Sequence, residues 1–253
     1  MAAFHDTRYE DFLASAAAIG PAMARVVEQP LGATIRDAVE ATRHWTHANT
    51  NLGIVLLLAP LARAALDPAP DPLPRRLDRV LDAASVADTA DVYAAIRRAA
   101  PAGLGRVADQ DIAAPPSVPL RAAMALAADR DAIAREYATG FATTFEAGAP
   151  ALARARHDGL SWPDATVETY LTLLAAMPDT HVARKLGATA AEAVSREAGT
   201  VIAAGGVRTE AGRTALAAFD AALRDPRNSR NPGATADLTA AAIFAALLDG
   251  LWG

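Results

Sequence analysis

Apolar residues recur along this chain at steps of three and four positions, the spacing that lines one face of an α-helix. The first run holds Phe12, Ala16, Ile19, Met23 and Val26. Alternation of apolar and polar residues, which would indicate strands, is nearly absent. Apolar residues make up 52% of the chain but aromatic ones only 5%, so most are alanine and leucine, which favour helices. The sequence therefore predicts an all-α fold.

Proline, glycine and capping residues divide the pattern into roughly nine to eleven helices. One of them is predicted over about Asp129–Glu146, and another begins at Ser161, a capping residue followed by Pro163. No repeat and no shift in composition marks a boundary. A chain of 253 residues is within the range of one domain. We therefore predict a single compact multi-helix domain over residues 1–253.

Charge and composition exclude several classes of function. The net charge is −5 and the 24 Lys and Arg residues are scattered, which argues against a nucleic-acid partner. The absence of cysteine excludes disulfides and thiolate chemistry. The most apolar stretch, Leu52–Leu66, is interrupted by Pro60 and Arg63 and falls short of the roughly 20 residues of a membrane span. With no secretory signal visible, a soluble cytoplasmic protein is expected.

General nucleotide-binding signatures such as the P-loop are missing, but three polar segments stand out. The first is His44–Gly53, which precedes an apolar helix. If Thr50 or Asn51 caps that helix, its free amides would suit an anion such as phosphate. His44 and His47 could also share a helical face and bind a metal. The alternative is an ordinary polar cap with two surface histidines.

The second segment is Pro178–Gly187, in which basic residues follow an acid. Asp179 can cap a helix, and His181 and Lys185 are four positions apart with Arg184 beside them. Such a cluster could bind a triphosphate, with Asp179 holding Mg²⁺ and the cations neutralising phosphoryl charge. A solvated helix end explains the pattern equally well.

The third segment is Asn231–Asp237, a tight turn that leads directly into an apolar helix. Asp237, expected in the first turn, could act only as a partner of the helix dipole. In a site it could be a second Mg²⁺ ligand or a general base.

Together these segments resemble the triphosphoribosyl-dephospho-CoA synthase family, which makes the prosthetic-group precursor of citrate lyase and malonate decarboxylase. The resemblance spans most of the chain, in the order and spacing that the family shows. The matching segments are Asp11-Phe12 with Ser15-Ala16, Asn49–Gly53, Asp179–Val182 with Arg184-Lys185, and Asn231–Asp237.

The resemblance implies transfer of the triphosphoribosyl unit of ATP to the 2′-hydroxyl of dephospho-CoA, with release of adenine and with Mg²⁺ as cofactor. It also implies roles for the polar residues. These are Asp179 and Asp237 as Mg²⁺ ligands or base, His181 as acid or phosphate donor, Arg184 and Lys185 on phosphate, and Asn49, Thr50, Asn51, Asn231 and Thr235 as further substrate-binding residues.

Two departures from the family pattern keep alternatives open. Synthases of citrate lyase systems carry His-Lys where this chain has Asn51-Leu52, and their upstream K-P-G-N-V segment has no counterpart here. The first departure favours a related nucleotide-dependent transferase in one-carbon coenzyme biosynthesis, of the tetrahydromethanopterin or methanofuran type. The second favours a non-catalytic helical nucleotide-binding protein. A homodimer is compatible with the alanine-rich helices.

Overall fold

The computed structural model describes residues 8–46, 48–101, 109–224 and 229–251, and every regular element in these ranges is helical. The predicted all-α class is confirmed, but nine to eleven helices is too few, because local breaks split several runs. The α-helices are α1 Tyr9–Ala18, α2 Gly20–Ala24, α3 Leu31–Trp45, α4 Leu52–Ala65, α5 Leu73–Ala83, α6 Val86–Ala99, α7 Leu120–Ala125, α8 Ala132–Thr139, α9 Ala149–His157, α10 Trp162–Ala176, α11 Thr180–Leu186, α12 Ala188–Ala203, α13 Glu210–Leu223 and α14 Gly233–Leu248.

Contacts between Cα atoms divide the chain into two compact units, residues 1–141 and 142–253. The first unit contains α1 to α8 and the second contains α9 to α14. The expectation of a single domain stays a prediction. None of the described helices has the length and apolar character needed to span a membrane.

In the first unit, α3 packs closely against α6 around a glycine and a buried aspartate. A Cβ atom on Gly32 would lie 2.5 Å from the Cα of Asp88, so only glycine permits this approach. The Asp88 carboxylate accepts from the Gly32 amide at 2.7 Å and from the amide and hydroxyl of Ser85. One carboxylate therefore caps the starts of two helices, and the start of α3 at Pro30 has no side-chain cap of its own.

A proline inside α4 creates a polar defect that a neighbouring helix repairs. Pro60 has no amide hydrogen, so the carbonyl of Leu56, four residues earlier, loses its helical donor. The buried hydroxyl of Tyr137 on α8 donates to that carbonyl at 2.6 Å. Burial raises the pKa of Tyr137, which keeps the hydroxyl protonated and able to donate. The apolar helix therefore retains its proline without an orphaned carbonyl.

The prediction of one continuous helix over Asp129–Glu146 is wrong. Helix α8 ends at Thr139, and both Gly140 and Phe141 have positive φ angles, of 67° and 64°. The chain then forms one turn of π-helix over Thr143–Gly148 before α9. An alanine-rich pattern indicates helix, but it contains no signal for a left-handed residue as bulky as phenylalanine.

The core of the second unit lies between α10, α12 and the elements beside them. Its fully buried residues include Leu171, Leu174, Val194 and Ala198, and Val182 of α11 belongs to the same cluster. Helix α10 begins at Trp162, and the Ser161 hydroxyl accepts from the Asp164 amide, which confirms the predicted start. This core fixes α11, the helix that carries the second polar segment.

Candidate active site

The polar segment before α4 supplies a side-chain cap for that helix from Asn49. The Asn49 side-chain oxygen accepts from the Leu52 amide at 3.2 Å, and neither Thr50 nor Asn51 makes a side-chain cap. Asn51 occupies the N-cap position, one of the two positions considered from the sequence, but its side chain does not make the cap. Within the described chain, the next amide, that of Gly53, has no hydrogen-bond acceptor. The helix start therefore keeps donor capacity for an anion.

Thr50 and Asn51 instead point into the first unit, where both are buried. The Thr50 hydroxyl lies 2.5 Å from the hydroxyl of Ser15 on α1, and the Asn51 amide donates to the Thr42 hydroxyl on α3 at 3.0 Å. These contacts explain why Ser15 belongs to the same pattern as the Asn-Thr-Asn segment, since it positions the loop. His47 lies outside the described residues, so the His44–His47 pair is not described.

Asp179 joins the second and third polar segments, which are 56 residues apart. It is 2% exposed, and its Oδ1 accepts from the amides of His181 and Val182 at 2.8 and 3.0 Å. Its Oδ2 accepts from the amide and the hydroxyl of Thr235 at 2.7 and 2.8 Å. The carboxylate thus caps α11 and also α14, whose preceding residue, Pro232, supplies no side-chain cap.

His181 packs directly on the first residue of α14. A Cβ atom on Gly233 would lie 2.4 Å from the His181 Nδ1 and 3.2 Å from its Cε1. The glycine of the Asn-Pro-Gly turn is therefore required because an imidazole occupies the space that a side chain would need. Asp179 and Gly233 together determine where the His181 ring lies.

Asp237 occupies the second turn of α14, so the expectation that it lies in the first turn is wrong. This position weakens the interpretation of Asp237 as a partner of the helix dipole, which acts within the first turn. Asp237 follows Gly233 by four residues, so both lie on one face of α14. A helical side chain leans toward the N-terminus of its helix. The half-buried Asp237 therefore lies on the face of α14 that contacts His181.

Two cations share the helix that carries His181. Arg184 and Lys185 follow it by three and four residues on α11, which places all three side chains on neighbouring positions of one face. All three are half-buried, so the charges of Arg184 and Lys185 face less water than those of a solvated helix end. Asn231 is also half-buried, and its carbonyl accepts from the Gly233 amide at 2.9 Å, which closes the turn before α14.

Tyr170 on α10 is a neighbour of this cluster that the sequence reasoning missed. Burial raises the pKa of its hydroxyl, and the negative charges of Asp179 and Asp220 raise it further. Tyr170 also packs against the apolar cluster that holds Val182. No short motif contains it, so only the tertiary structure associates it with Asp179.

The fit of these residues to Mg²⁺ depends on how many carboxylates the ion needs. Nowhere in the described ranges do three potential metal-ligating side chains come together. Magnesium is nevertheless commonly held by one or two carboxylates together with substrate phosphates. The four acceptor positions of Asp179 are already used by hydrogen bonds, which leaves the ligand role to Asp237. The residues therefore fit an ion that binds together with a triphosphate.

The predicted residues fall into two groups, one in each compact unit. Asn49, Thr50 and Asn51 belong to the first unit, while the residues from Asp179 to Asp237 belong to the second. Within the second unit the structure brings the two polar segments into contact. That both groups form one site stays a prediction.

The structure is that of an all-helical protein. In its second unit, a cluster of cationic side chains lies beside the point where the Asp179 carboxylate caps both α11 and α14. The sequence profile of the family described as ATP:dephospho-CoA triphosphoribosyl transferase matches residues 1–253. The chain belongs to this family.

Individual relatives agree with this result. A 2-(5''-triphosphoribosyl)-3'-dephosphocoenzyme-A synthase from Klebsiella pneumoniae is 37% identical over 112 residues, 44% of this chain and 39% of its own. A protein from Pseudomonas putida, given the same activity as probable, is 38% identical over 112 residues, with the same two shares. These alignments therefore span about two fifths of the relatives' length.

A solved structure extends the similarity to nearly the whole chain. The crystal structure from Archaeoglobus fulgidus, which carries the provisional name triphosphoribosyl-dephospho-CoA synthase, superposes with a TM-score of 0.73 at 29% identity. The superposition covers 94% of this chain and 99% of that one.

Proposed function

We propose that the protein transfers the triphosphoribosyl group of ATP to the 2′-hydroxyl of dephospho-CoA and releases adenine. Family membership supports the reaction class. The observation that carries the assignment to these residues is the pair of bonds from Thr235 to Asp179. Those bonds hold His181, with Arg184 and Lys185 beyond it, against the face of α14 that bears Asp237.

The reaction breaks the bond between C1′ of the ATP ribose and N9 of adenine, and it forms a bond from C1′ to the acceptor oxygen. Adenine leaves with the bonding electron pair and needs a proton, while the acceptor hydroxyl loses one. The site must therefore supply an acid near the base and a proton acceptor near the hydroxyl. We assign the acid to His181 and the proton acceptor to Asp237.

The triphosphate carries several negative charges that the protein must balance. Arg184 and Lys185 are the cations on the helical face of His181, and we assign them to the phosphates. Asp237 would instead hold Mg²⁺ if the ion bridges it to the triphosphate. When bound, the ion would neutralise phosphoryl charge and fix the orientation of the triphosphate.

The test is to incubate the protein with Mg-ATP and dephospho-CoA and to measure free adenine and the mass of the CoA product. Asp237→Asn should lower kcat by roughly a hundredfold or more, because a general base contributes about 10²–10⁴. Asp249→Asn is the matched control, since Asp249 is exposed at the other end of the same helix. Its kcat should stay close to that of the wild type. If Asp237→Asn keeps wild-type kcat, Asp237 has no role in the chemistry.

Two further candidates can be separated in the same assay. Leu52 is buried at the start of α4 and cannot supply the cation that the citrate lyase synthases carry there, which favours a different acceptor. A panel of nucleoside and one-carbon coenzyme precursors in place of dephospho-CoA would identify that acceptor. ATP binding with no adenine release for any acceptor would indicate a non-catalytic nucleotide-binding protein.

A further inference from the structure

Arg230 joins two other helices to the turn that precedes α14. Its Nη2 donates to both carboxylate oxygens of Glu197 on α12, each at 2.9 Å. Its Nη1 donates to the carbonyl of Ala222 on α13 at 3.2 Å. One guanidinium therefore contacts α12 and α13, while its own backbone leads directly into the Asn-Pro-Gly turn.

These two contacts require the shape of an arginine side chain. Ala222 is the last but one residue of α13, and the final carbonyls of a helix have no partner inside it and carry partial negative charge. A guanidinium holds its nitrogens in a fixed planar fork, so it can bond to a carboxylate and a carbonyl together. Lysine has a single nitrogen on a flexible stem. The contacts therefore fix the direction of the chain at Arg230 as well as balancing charge.

The chain from Arg230 to the His181 ring is short and stiff. The Asn231 carbonyl accepts from the Gly233 amide at 2.9 Å, and the buried Pro232 has its φ held at −78° by its ring. Gly233 is the residue on which a Cβ atom would lie 2.4 Å from the His181 Nδ1. A movement of Arg230 would therefore reach the His181 ring across three residues that have few free dihedral angles to absorb it.

The start of α14 thus has two anchors on different helices. Asp179, at the start of α11, accepts from Thr235, whereas Arg230 ties the preceding turn to α12 and α13. Two separate anchors fix the direction of a helix as well as its position. Asp237 follows Thr235 by two residues, so its placement depends on both. Catalysis is sensitive to such placement, because a displacement of about 1 Å can cost a hundredfold in rate.

We propose that Arg230 and Glu197 are positioning residues for the transfer reaction, because they hold the Asn-Pro-Gly turn where it places the His181 ring beside the face that bears Asp237. The inference rests on the proposed function. Folding stability does not account for the pair, since its side chains are 28% and 42% exposed and ion pairs with such exposure contribute little to stability.

The test compares kcat, the KM for ATP and the thermal midpoint. Arg230→Met removes both contacts, and kcat should fall by roughly ten- to a hundredfold. The KM for ATP should stay within about threefold, because no substrate contact is removed. The thermal midpoint should fall by no more than about 4 °C. Arg230→Lys, which keeps the charge but not the fork, should recover only part of kcat, and Glu197→Gln should lower kcat less than Arg230→Met does.

Arg213→Met is the matched control. Arg213 also donates twice to a carboxylate on another helix of the second unit, that of Asp164, at 3.3 and 3.2 Å. It lies at the beginning of α13, however, whereas Ala222 lies at its end. Its loss should leave kcat and the KM for ATP close to those of the wild type.

A second measurement reports the position of the His181 ring without any turnover. In histidine-labelled protein each of the five histidines has its own ring Cε1–H signal in the NMR spectrum, and His181→Gln and His157→Gln identify two of them. Arg230→Met should shift the His181 signal and leave in place that of His157, which ends α9. Arg213→Met should shift neither signal.

Four results would overturn the inference. They are a wild-type kcat for Arg230→Met, an unshifted His181 signal, a raised KM for ATP with unchanged kcat, which would make Arg230 a substrate contact, and an equal effect of Arg213→Met. If the wild type releases no adenine while Arg230→Met still shifts the His181 signal, only the proposed function is refuted. Should Arg230→Met fail to fold, Arg230→Lys and Glu197→Gln are judged by the same four results.

Discussion

Replacing Asp179 by Asn tests whether its carboxylate is primarily a structural clamp between α11 and α14. The amide oxygen can still cap α11, where Asn is as good as Asp. The amide nitrogen, however, would face the Thr235 amide, which is also a donor. Two hydrogen bonds to a charged acceptor are lost, each contributing about 1.5–3 kcal/mol. The Thr235 hydroxyl can rotate to accept one, so we expect a net loss of about 2–4 kcal/mol in the free energy of unfolding.

The assay is urea unfolding followed by helical circular dichroism, together with the thermal midpoint, which should fall by roughly 5–15 °C for a chain of this size. Thr235→Val removes one of the two bonds and should cost about 1–2 kcal/mol. Thr239→Val is the matched control, because the bond of the buried Thr239 hydroxyl to the Thr235 carbonyl lies within α14 and joins no second helix. Its cost should stay below about 1 kcal/mol.

A double variant separates the clamp from independent effects of the two residues. Once Asp179 is changed, Thr235→Val should cost at least about 1 kcal/mol less than it does in the wild type, since residues in contact are coupled. An unfolding free energy of Asp179→Asn within about 0.5 kcal/mol of the wild type would refute the clamp. If the same variant also lost transfer activity, Asp179 would have a role in the reaction itself.

Contacts inside the individual units support three further substitutions. Tyr137→Phe should cost about 1–3 kcal/mol in unfolding free energy, and adding Pro60→Ala should recover much of it, because the new amide supplies the missing donor; no recovery would contradict the repair. Burial raises the pKa of Asp88, but hydrogen bonds from the amides of Gly32 and Ser85 lower it more. Its stabilisation is thus present above pH 3.8 and lost as pH falls below, so the deficit of Asp88→Asn should shrink from about pH 5 to about pH 2 in urea titrations. Gly233→Ala would place a carbon 2.4 Å from the His181 ring. The activation free energy calculated from kcat should rise by more than the free energy of unfolding falls; the reverse would make the contact merely structural.

The helices and their starts follow largely from the sequence. The sequence predicted the apolar helices that the structure shows as α4 and α14, and the predicted start of α10 at Ser161 is confirmed. These features depend on residues within four positions of one another. Their hydrogen bonds form inside a single helix, whatever the rest of the chain does.

The sequence also identified the residues that the second unit brings together. Asp179, His181, Gly233 and Asp237 all belong to segments recognised as polar islands beside apolar helices. The sequence showed that these residues lie in two distant segments, but it did not show that Asp179 bonds to Thr235. A capping aspartate has the same local pattern whether its second oxygen faces water or another helix.

Tertiary packing decided which groups each of these side chains binds. In the packed structure Asp179 accepts from Thr235, Thr50 and Asn51 are buried, and the Asn49 side chain caps α4. Packing also supplied Tyr137 for the carbonyl that Pro60 left unpaired. Each choice joins residues far apart in the chain or satisfies a buried polar atom. Burial makes an unsatisfied polar group costly, so the packed structure, and not local preference, selects the partner.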